Sequence, residues 1–255
     1  MRYVIEGSFS DQSTIESKLK ENGHVLDLQN PQFVFSIGGD GTILRTIHKY
    51  IKIIDKIYIV GINFGKLGFY TDFNESDVPN IVNMIETNNF TYNEYHLLEY
   101  LLKSKIGYKK GYGLNEVAII NPIHTQIIDV FIDDNQFETF RGTGFVISTP
   151  TGSTAYNKSL GGSIIDPKIR AMQLTEIAPI SNRVYKTLSS PVVLSNDSII
   201  KLKSDFSNAI FTFDGIHDDF KDVEEAIIRL SDIKVKFITG EKTNFWDRVK
   251  KSFLE

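Results

Sequence analysis

Apolar positions in the first third of the chain alternate between short continuous runs and helical spacings. Tyr3 to Ile5 reads as a short strand, and Ser13 with Glu16 three positions later fits a capping box that opens a helix through Leu19. Phe33 to Ile37 is an apolar run bounded by Pro31 and by glycines, the pattern of a strand buried on both faces. Ile43, Leu44, Ile47 and Ile51 then recur at helical spacing, so strand, glycine loop and helix follow one another. Ile57 to Ile62 repeats the buried-strand pattern, and Val78, Ile81, Val82 and Ile85 mark another amphipathic helix. Strands alternating with helices predict a parallel sheet.

Past about Tyr92 the period changes. Alternating apolar and polar residues become frequent and helical spacing nearly disappears, which predicts antiparallel sheet. Gln126 to Asp133 and Gln136 to Phe140 flank Asp134-Asn135, a pair that tolerates turn geometry, so a hairpin is expected there. Ile199 to Lys203, Ala209 to Asp214 and Ile233 to Ile238 read as strands, and Thr154 to Leu160 as a short helix. Phe245, Trp246, Val249 and Phe253 give the last stretch a helical face that should dock on the rest of the chain. There is no repeat or linker tract. The change of period therefore sets the expected division: an α/β amino-terminal domain over 1–92, a β-rich domain with an antiparallel sandwich over 93–238, and a carboxy-terminal segment over 239–255.

Composition narrows the chemistry. Of 255 residues 41% are hydrophobic, enough for a sizeable core. The absence of cysteine excludes disulfides, thiolate metal sites and a cysteine nucleophile, so catalysis must use oxygen or nitrogen groups. A net charge of −4 argues against non-specific nucleic-acid binding, and the pairs Lys109-Lys110 and Lys250-Lys251 read as solvated surface. No stretch has the length of a signal peptide or a membrane span, so a soluble, unexported, cytoplasmic protein is expected.

Two clusters carry candidate chemistry. Gly38-Gly39-Asp40-Gly41-Thr42 lies between a buried strand and a helix, where backbone N–H groups and the positive end of the helix dipole favour an anion. It is neither a dinucleotide-binding G-x-G-x-x-G nor a P-loop, and Gly61 to Lys66 also lacks P-loop spacing. Asp40 is the informative residue. A carboxylate inside a phosphate cradle is costly unless Mg²⁺ or a proton transfer from a substrate hydroxyl makes use of it; the alternative is a simple helix cap. The second cluster, Ser148 to Tyr156, is dense in hydroxyls and ends in an aromatic ring. It can hold a sugar, an amide and a purine face, although a polar turn with a helix cap explains it nearly as well. Asn115-Glu116 can grip two ribose hydroxyls or decorate a sheet rim, and Asp214-Gly215 reads by itself as a turn. The histidines have no metal-ligand spacing. His48, His96 and His217 are expected to be ordinary helix, strand and loop residues, and no protein metal site is assigned.

Taken in order, Gly38 to Thr42, Asn115-Glu116, Arg141 to Gly144, Ser148 to Gly162 and Asp214-Gly215 resemble the NAD kinase family, over nearly the whole chain. Asn157 to Gly162, Met172 to Glu176 and Asn182 to Tyr185 are similar to the short Firmicutes-type enzymes. The resemblance implies phosphorylation of the 2′-hydroxyl of NAD, with ATP, another triphosphate or polyphosphate as donor and Mg²⁺ or another divalent cation accompanying it. It also implies a carboxy-terminal helix that packs back on the first domain, and a homotetramer built through the β-rich domain. Asp40 would orient or deprotonate the 2′-hydroxyl, and Gly38, Gly39 and Gly41 would lie against donor phosphates. Asn115 and Glu116 would hold adenosine ribose; Thr154, Ala155, Tyr156 and Ser159 would surround adenine; Arg141 and Ala178 would line the dinucleotide site. Two positions depart from the pattern. Thr143 stands where the family usually has aspartate, implying altered dinucleotide contact, and Ile216 follows Asp214-Gly215 where many relatives have a polar residue, which leaves the ligand role of Asp214 open. A lipid kinase shares the glycine loop, and a non-catalytic nucleotide-binding regulator is the reading from another class.

Overall fold

The computed structural model describes residues 1–7, 12–63, 68–240 and 244–255, with only the backbone of residues 12–14. The chain divides into two units, 1–95 together with 233–255, and 96–232. In chain order the first unit holds β1 (Arg2–Glu6), α1 (Gln12–Glu21), β2 (Val25–Leu26), β3 (Phe33–Ile37), α2 (Asp40–Lys49), β4 (Tyr58–Asn63), β5 (Phe73–Asn74) and α3 (Val78–Glu86). β6 (Thr91–Ser104) then leads into the second unit, with β7 (Gly107–Gly113), β8 (Glu116–Ile120), β9 (Gln126–Ile132), β10 (Asn135–Gly142), β11 (Gly144–Ser148) and α4 (Tyr156–Ser159). β12 (Ala171–Ile177), β13 (Val192–Ser195), β14 (Ile199–Lys203), β15 (Ile210–Phe213) and β16 (Ile216–Asp218) follow. β17 (Val223–Thr239) returns the chain to the first unit, which α5 (Phe245–Phe253) completes.

The first unit is built on the expected parallel sheet. β1 pairs with β2 and β3, β3 with β4, and β4 with β5 and the end of β17, all in parallel. All five residues of β3 are buried, as its apolar run predicts. Tyr3, Ile15, Leu19, Phe35, Val60, Ile62, Ile81, Val82 and Ile238 belong to one apolar core. Helix α3 buries Val78, Ile81, Val82 and Ile85, the four positions the sequence marks. Helix α2 stops at Lys49, and Ile51 starts a separate 3₁₀ turn, Ile51–Lys56, so the helical spacing overran the helix by one turn. The side chain of Ser13 lies outside the described residues, and so do Gly65 and Lys66 of the segment compared with a P-loop.

The second unit is an antiparallel sandwich. One sheet contains β10, β9, β14 and β17 in order, with β6 paired to β7; the other runs β13, β12, β11, β8, β15, β16. Side chains from both, among them Leu98, Ile128, Phe140, Ile200 and Ile228 from one and Val117, Phe145, Met172 and Phe211 from the other, share one core. The hairpin between β9 and β10 turns at Asp133-Asp134, one residue earlier than the sequence suggests. Both have left-handed backbone, φ 52° and 64°, the twist that two-residue hairpins need. The helix expected over Thr154 to Leu160 is split into a 3₁₀ turn, Thr151–Thr154, and α4. His217 lies in β16, not in a loop.

Candidate active site

The glycine turn Gly38 to Thr42 joins β3 to α2 in the first unit. Gly38 has φ +144°, and a Cβ there would stand 2.5 Å from Thr42 Oγ1, so only glycine fits. Gly39 is the N-cap residue, and among the described residues no side chain caps the helix. The first N–H groups of a helix have no acceptor within it, and among the described residues no side chain takes those of Asp40 and Gly41, which suits an anion there. Among the described residues nothing lies within 4 Å of a Cβ built on Gly39, and the nearest atom to one on Gly41 is Arg45 Nη1 at 3.8 Å. An adjoining cavity is lined by Glu6, Gly7, Ile37, Gly38, Thr42, Arg45, Thr46 and Lys49. Lys49 is paired with Glu6 at 2.7 Å, whereas Arg45 donates to Thr42 Oγ1 at 3.2 Å and is exposed. A cation beside a helix N-terminus suits a polyanion.

Asp40 is not a helix cap. It is the first residue of α2, and its carboxylate accepts from a different loop: Phe69 N donates to Oδ2 at 2.9 Å and Tyr70 N to Oδ1 at 3.0 Å. The loop comes so close that a Cβ on Gly68 would lie 2.3 Å from Asp40 Oδ1. Among the described residues each carboxylate oxygen has one amide donor and so retains acceptor capacity. The side chain is half-buried and held by backbone, and its remaining acceptor sites can take a proton donor and a cation.

In the second unit, Asn115 and Glu116 open β8 as a buried corner. Asp214 organises it. Its Oδ2 accepts from Leu114 N at 2.8 Å, and its Oδ1 from Asn115 N at 2.6 Å and Glu116 N at 3.3 Å. Thr149 Oγ1 donates to Leu114 O at 2.6 Å, and Gly152 passes so near that a Cβ would meet Asn115 O at 2.0 Å. The hydroxyl run thus packs on the Asn-Glu corner. Ser153 Oγ donates to Pro150 O and accepts from Ile165 N at 2.6 and 2.9 Å, and Thr154 Oγ1 donates to Thr151 O at 3.2 Å. These hydroxyls shape the turn, leaving the ring of Tyr156 exposed, with Ala155 half-buried and Ser159 exposed near it in sequence.

Glu116 is 7% exposed and its Oε2 has no hydrogen-bond partner among the described residues. Burial, with the Asp214 carboxylate adding repulsion, pushes its pKa up to about 8 against the lowering influence of the Tyr156 N–H. A carboxyl raised from 4.5 stabilises the fold fully below pH 4.5, and that contribution is lost as pH rises through about 8. Glu116→Gln, neutral at every pH, is therefore expected to raise the thermal midpoint of the ligand-free protein at pH 9 and to leave it nearly unchanged at pH 5. The ionisation it avoids costs on the order of a few kcal/mol, at about 1.4 kcal/mol per pKa unit. Thermal melts of both proteins across that range check this; parallel curves would refute it. Glu176 moves in the same window, up to about 7 through burial and the neighbouring Glu138, so the difference between the two proteins is the informative quantity.

Arg141, Thr143 and Ala178 lie together elsewhere in the second unit. Thr143 N donates to Ile177 O at 2.9 Å, and a Cβ on Gly142 would stand 2.7 Å from Ala178 O. Ala178 has left-handed backbone, φ 46°, which presents its carbonyl to this turn. The Arg141 guanidinium stacks on Tyr185, 4.1 Å from the ring centre.

The structure thus gathers Gly38, Gly39, Asp40 and Gly41 in the first unit. In the second it gathers Asn115, Glu116, Thr154, Ala155, Tyr156 and Asp214 at one corner, and Arg141, Thr143 and Ala178 at another. Sequence reasoning missed Arg45, the loop Gly68 to Tyr70, and Arg248. Arg248 stands three residues after Phe245 and one before Val249, so its place on the docking face of α5 was the one available signal. That helix buries Arg248 and Val249 and leaves Trp246 half exposed, a correction to the expected apolar face.

Comparison with known proteins gives one answer. The models of the ATP-NAD kinase N-terminal and C-terminal domains match residues 12–90 and 114–240. An NAD kinase of Lactobacillus johnsonii is 40% identical over 94% of this chain and 90% of its own length. One of Latilactobacillus sakei is 40% identical over 99% and 96%. Among solved structures, an NAD kinase from Archaeoglobus fulgidus in complex with ATP superimposes with a TM-score of 0.80 at 26% identity, covering 98% of this chain and 99% of that one. The yeast NADH kinase complexed with NADH gives 0.85 at 21% identity, covering 99% and 86%.

Proposed function

The chain belongs to the NAD kinase family, and from that premise we propose how its own residues divide the transfer of a phosphate to the 2′-hydroxyl of NAD. It is a phosphotransferase that acts on NAD with ATP. The observation that carries the assignment of roles is the Asp40 carboxylate, fixed by two amides beside a helix N-terminus that no side chain caps among the described residues.

Phosphoryl transfer passes through a loose transition state, so alignment and charge neutralisation matter more than strong base catalysis. The amides of Asp40 and Gly41 receive phosphate oxygens, Gly38 and Gly39 let the donor approach, and Arg45 adds a cation. Asp40 accepts the hydrogen bond of the ribose 2′-hydroxyl, turning that oxygen towards the γ-phosphate, and takes its proton as the bond to phosphorus forms. Asn115 and Glu116 hold ribose hydroxyls. Tyr156 offers a ring face to adenine, with Thr154, Ala155 and Ser159 around it, and Arg141 and Ala178 border the dinucleotide. Asp214, committed to three amides, contributes by fixing the Asn115-Glu116 corner.

A divalent cation would arrive with the triphosphate. Among the described residues no group of three His, Cys, Asp or Glu could hold one by itself, whereas the spare acceptor capacity of Asp40 would help to hold a cation brought in by the phosphates. When bound it neutralises phosphate charge. Exposed Val184, Leu188 and Val193 support a homo-oligomer formed through the β-rich unit. Among the described residues no helix is long and apolar enough to cross a membrane.

The test is an NADP-forming assay with ATP, other triphosphates and polyphosphate, using Asp40→Asn as control. NADP formation with none of them would overturn the assignment. Thr143→Asp is expected to tighten NAD binding by roughly three- to tenfold, the worth of one charge-assisted hydrogen bond part-offset by solvent. The backbone at 143 is pinned through Ile177 O, Asn121 N and Gln126 Nε2, so the substitution changes the side chain and leaves the turn in place. Calorimetric titration with NAD measures it, and unchanged affinity would refute this account of Thr143.

A further inference from the structure

The clamp on Asp40 has a second layer. Phe69 N–H shares its peptide unit with Gly68 C=O, and Tyr70 N–H shares its unit with Phe69 C=O. Both carbonyls accept from Arg248 Nη1, at 3.0 and 2.5 Å. The two peptides that donate to the Asp40 carboxylate are therefore the two that accept from the guanidinium. Cation, two consecutive peptide units and anion are linked by charge-assisted hydrogen bonds, in which each bond polarises the next.

Such an arrangement is expensive to build. Arg248 is only 8% exposed, and a buried guanidinium must be paired. Asp72 pairs with it through Oδ1 and accepts from Gly240 N through Oδ2 at 3.0 Å, while Thr71 Oγ1 accepts from Gly68 N at 2.9 Å. The start of α5 is itself fixed by a capping box, in which Asn244 accepts from Asp247 N at 2.9 Å. Docking of a helix needs apolar contact only. A buried arginine aimed at two specific carbonyls needs another explanation.

We propose that Arg248 is a positioning residue for phosphoryl transfer: through the 68–70 peptides it fixes the Asp40 carboxylate in its working orientation and feeds positive charge into that clamp. This rests on the role given to Asp40. The carboxy-terminal helix thereby acts on the chemistry through the Asp40 carboxylate.

The experiment measures kcat, KM for NAD and the thermal midpoint for Arg248→Met, Arg248→Lys and Asp72→Asn, with Arg248→Met also made in the Asp40→Asn background. Arg248→Met is expected to lower kcat by about 10- to 100-fold while KM for NAD stays within about twofold, because orientation is lost and ground-state binding is not. Arg248→Lys keeps the charge without the planar fork and should recover part of the rate. In the Asp40→Asn background, Arg248→Met should cost less than about twofold more, since residues acting as one unit are not additive. An unchanged kcat, or an equal loss in both backgrounds, overturns the proposal. A near-normal rate for Asp40→Asn alone overturns the role of Asp40 instead. Should Arg248→Met not fold, the lysine variant and Asp72→Asn decide: a reduced kcat at unchanged KM supports the proposal, and wild-type kinetics in both overturns it.

Discussion

Asp40→Asn is expected to bind NAD with near-normal affinity and to lose most turnover, by about 10² to 10⁴-fold, the usual contribution of a positioned general base. The asparagine has nearly the same volume but presents only one oxygen. Phe69 N and Tyr70 N now donate to two carboxylate oxygens. In the variant one of them faces an NH₂ group, so the side chain either rotates or leaves a donor unsatisfied. The negative charge is also gone, and with it the acceptor that receives the 2′-hydroxyl proton. Ribose and adenine contacts are assigned to second-unit residues the substitution leaves alone, so affinity should persist. Calorimetric titration with NAD beside a steady-state NADP assay separates the two quantities. Retained turnover would remove Asp40 from the chemistry, whatever the fold around it.

Asp214→Asn should have the second largest effect, acting on binding and stability together. The carboxylate of Asp214 accepts from Leu114, Asn115 and Glu116 amides and is 7% exposed, so no water can replace a lost acceptor. An amide nitrogen at the former Oδ1 or Oδ2 faces N–H donors. Leaving one or two buried donors unsatisfied costs about 1–3 kcal/mol each. Stability in urea is expected to fall by about 2–4 kcal/mol on that basis, and NAD affinity by roughly tenfold or more as the Asn115-Glu116 corner loosens. Denaturant melts and NAD titration report the two effects. Native-like values in both would show that the turn stands without its carboxylate. Because Asp214 also repels the buried Glu116 carboxylate, its neutralisation should bring the Glu116 pKa down from about 8, an effect visible in the pH dependence of stability.

How far the sequence could be read depended on the kind of residue. β3 and α3 were legible because burial on two faces, or on one helical stripe, writes a period into apolar residues. β6 and the first half of β17 were not. Their Glu-, Leu-, Lys- and Arg-rich stretches favour helix locally, and pairing in a sheet overrides that preference. The glycine turn was found because close backbone approach restricts residue type, as a Cβ at Gly38 would show, and the Asn-Glu corner and the hydroxyl run because their side chains suit sugar and purine contacts. Arg248 escaped because a charged side chain on a helix reads as surface.

By itself the sequence determined the alternation of buried strands and helices, the switch to antiparallel sheet, and the residue types available for phosphate and sugar contact. These follow from local spacing and side-chain chemistry, which a chain carries in order. Only the tertiary structure decided what holds Asp40, what Asp214 is committed to, and why an arginine is buried in the last helix. Each of those is a hydrogen bond between residues far apart in sequence: Asp40 with the loop at 68–70, Asp214 with 114–116, Arg248 with 68–72. Such pairings leave no period in the chain, because a backbone amide can serve any acceptor that folding brings to it.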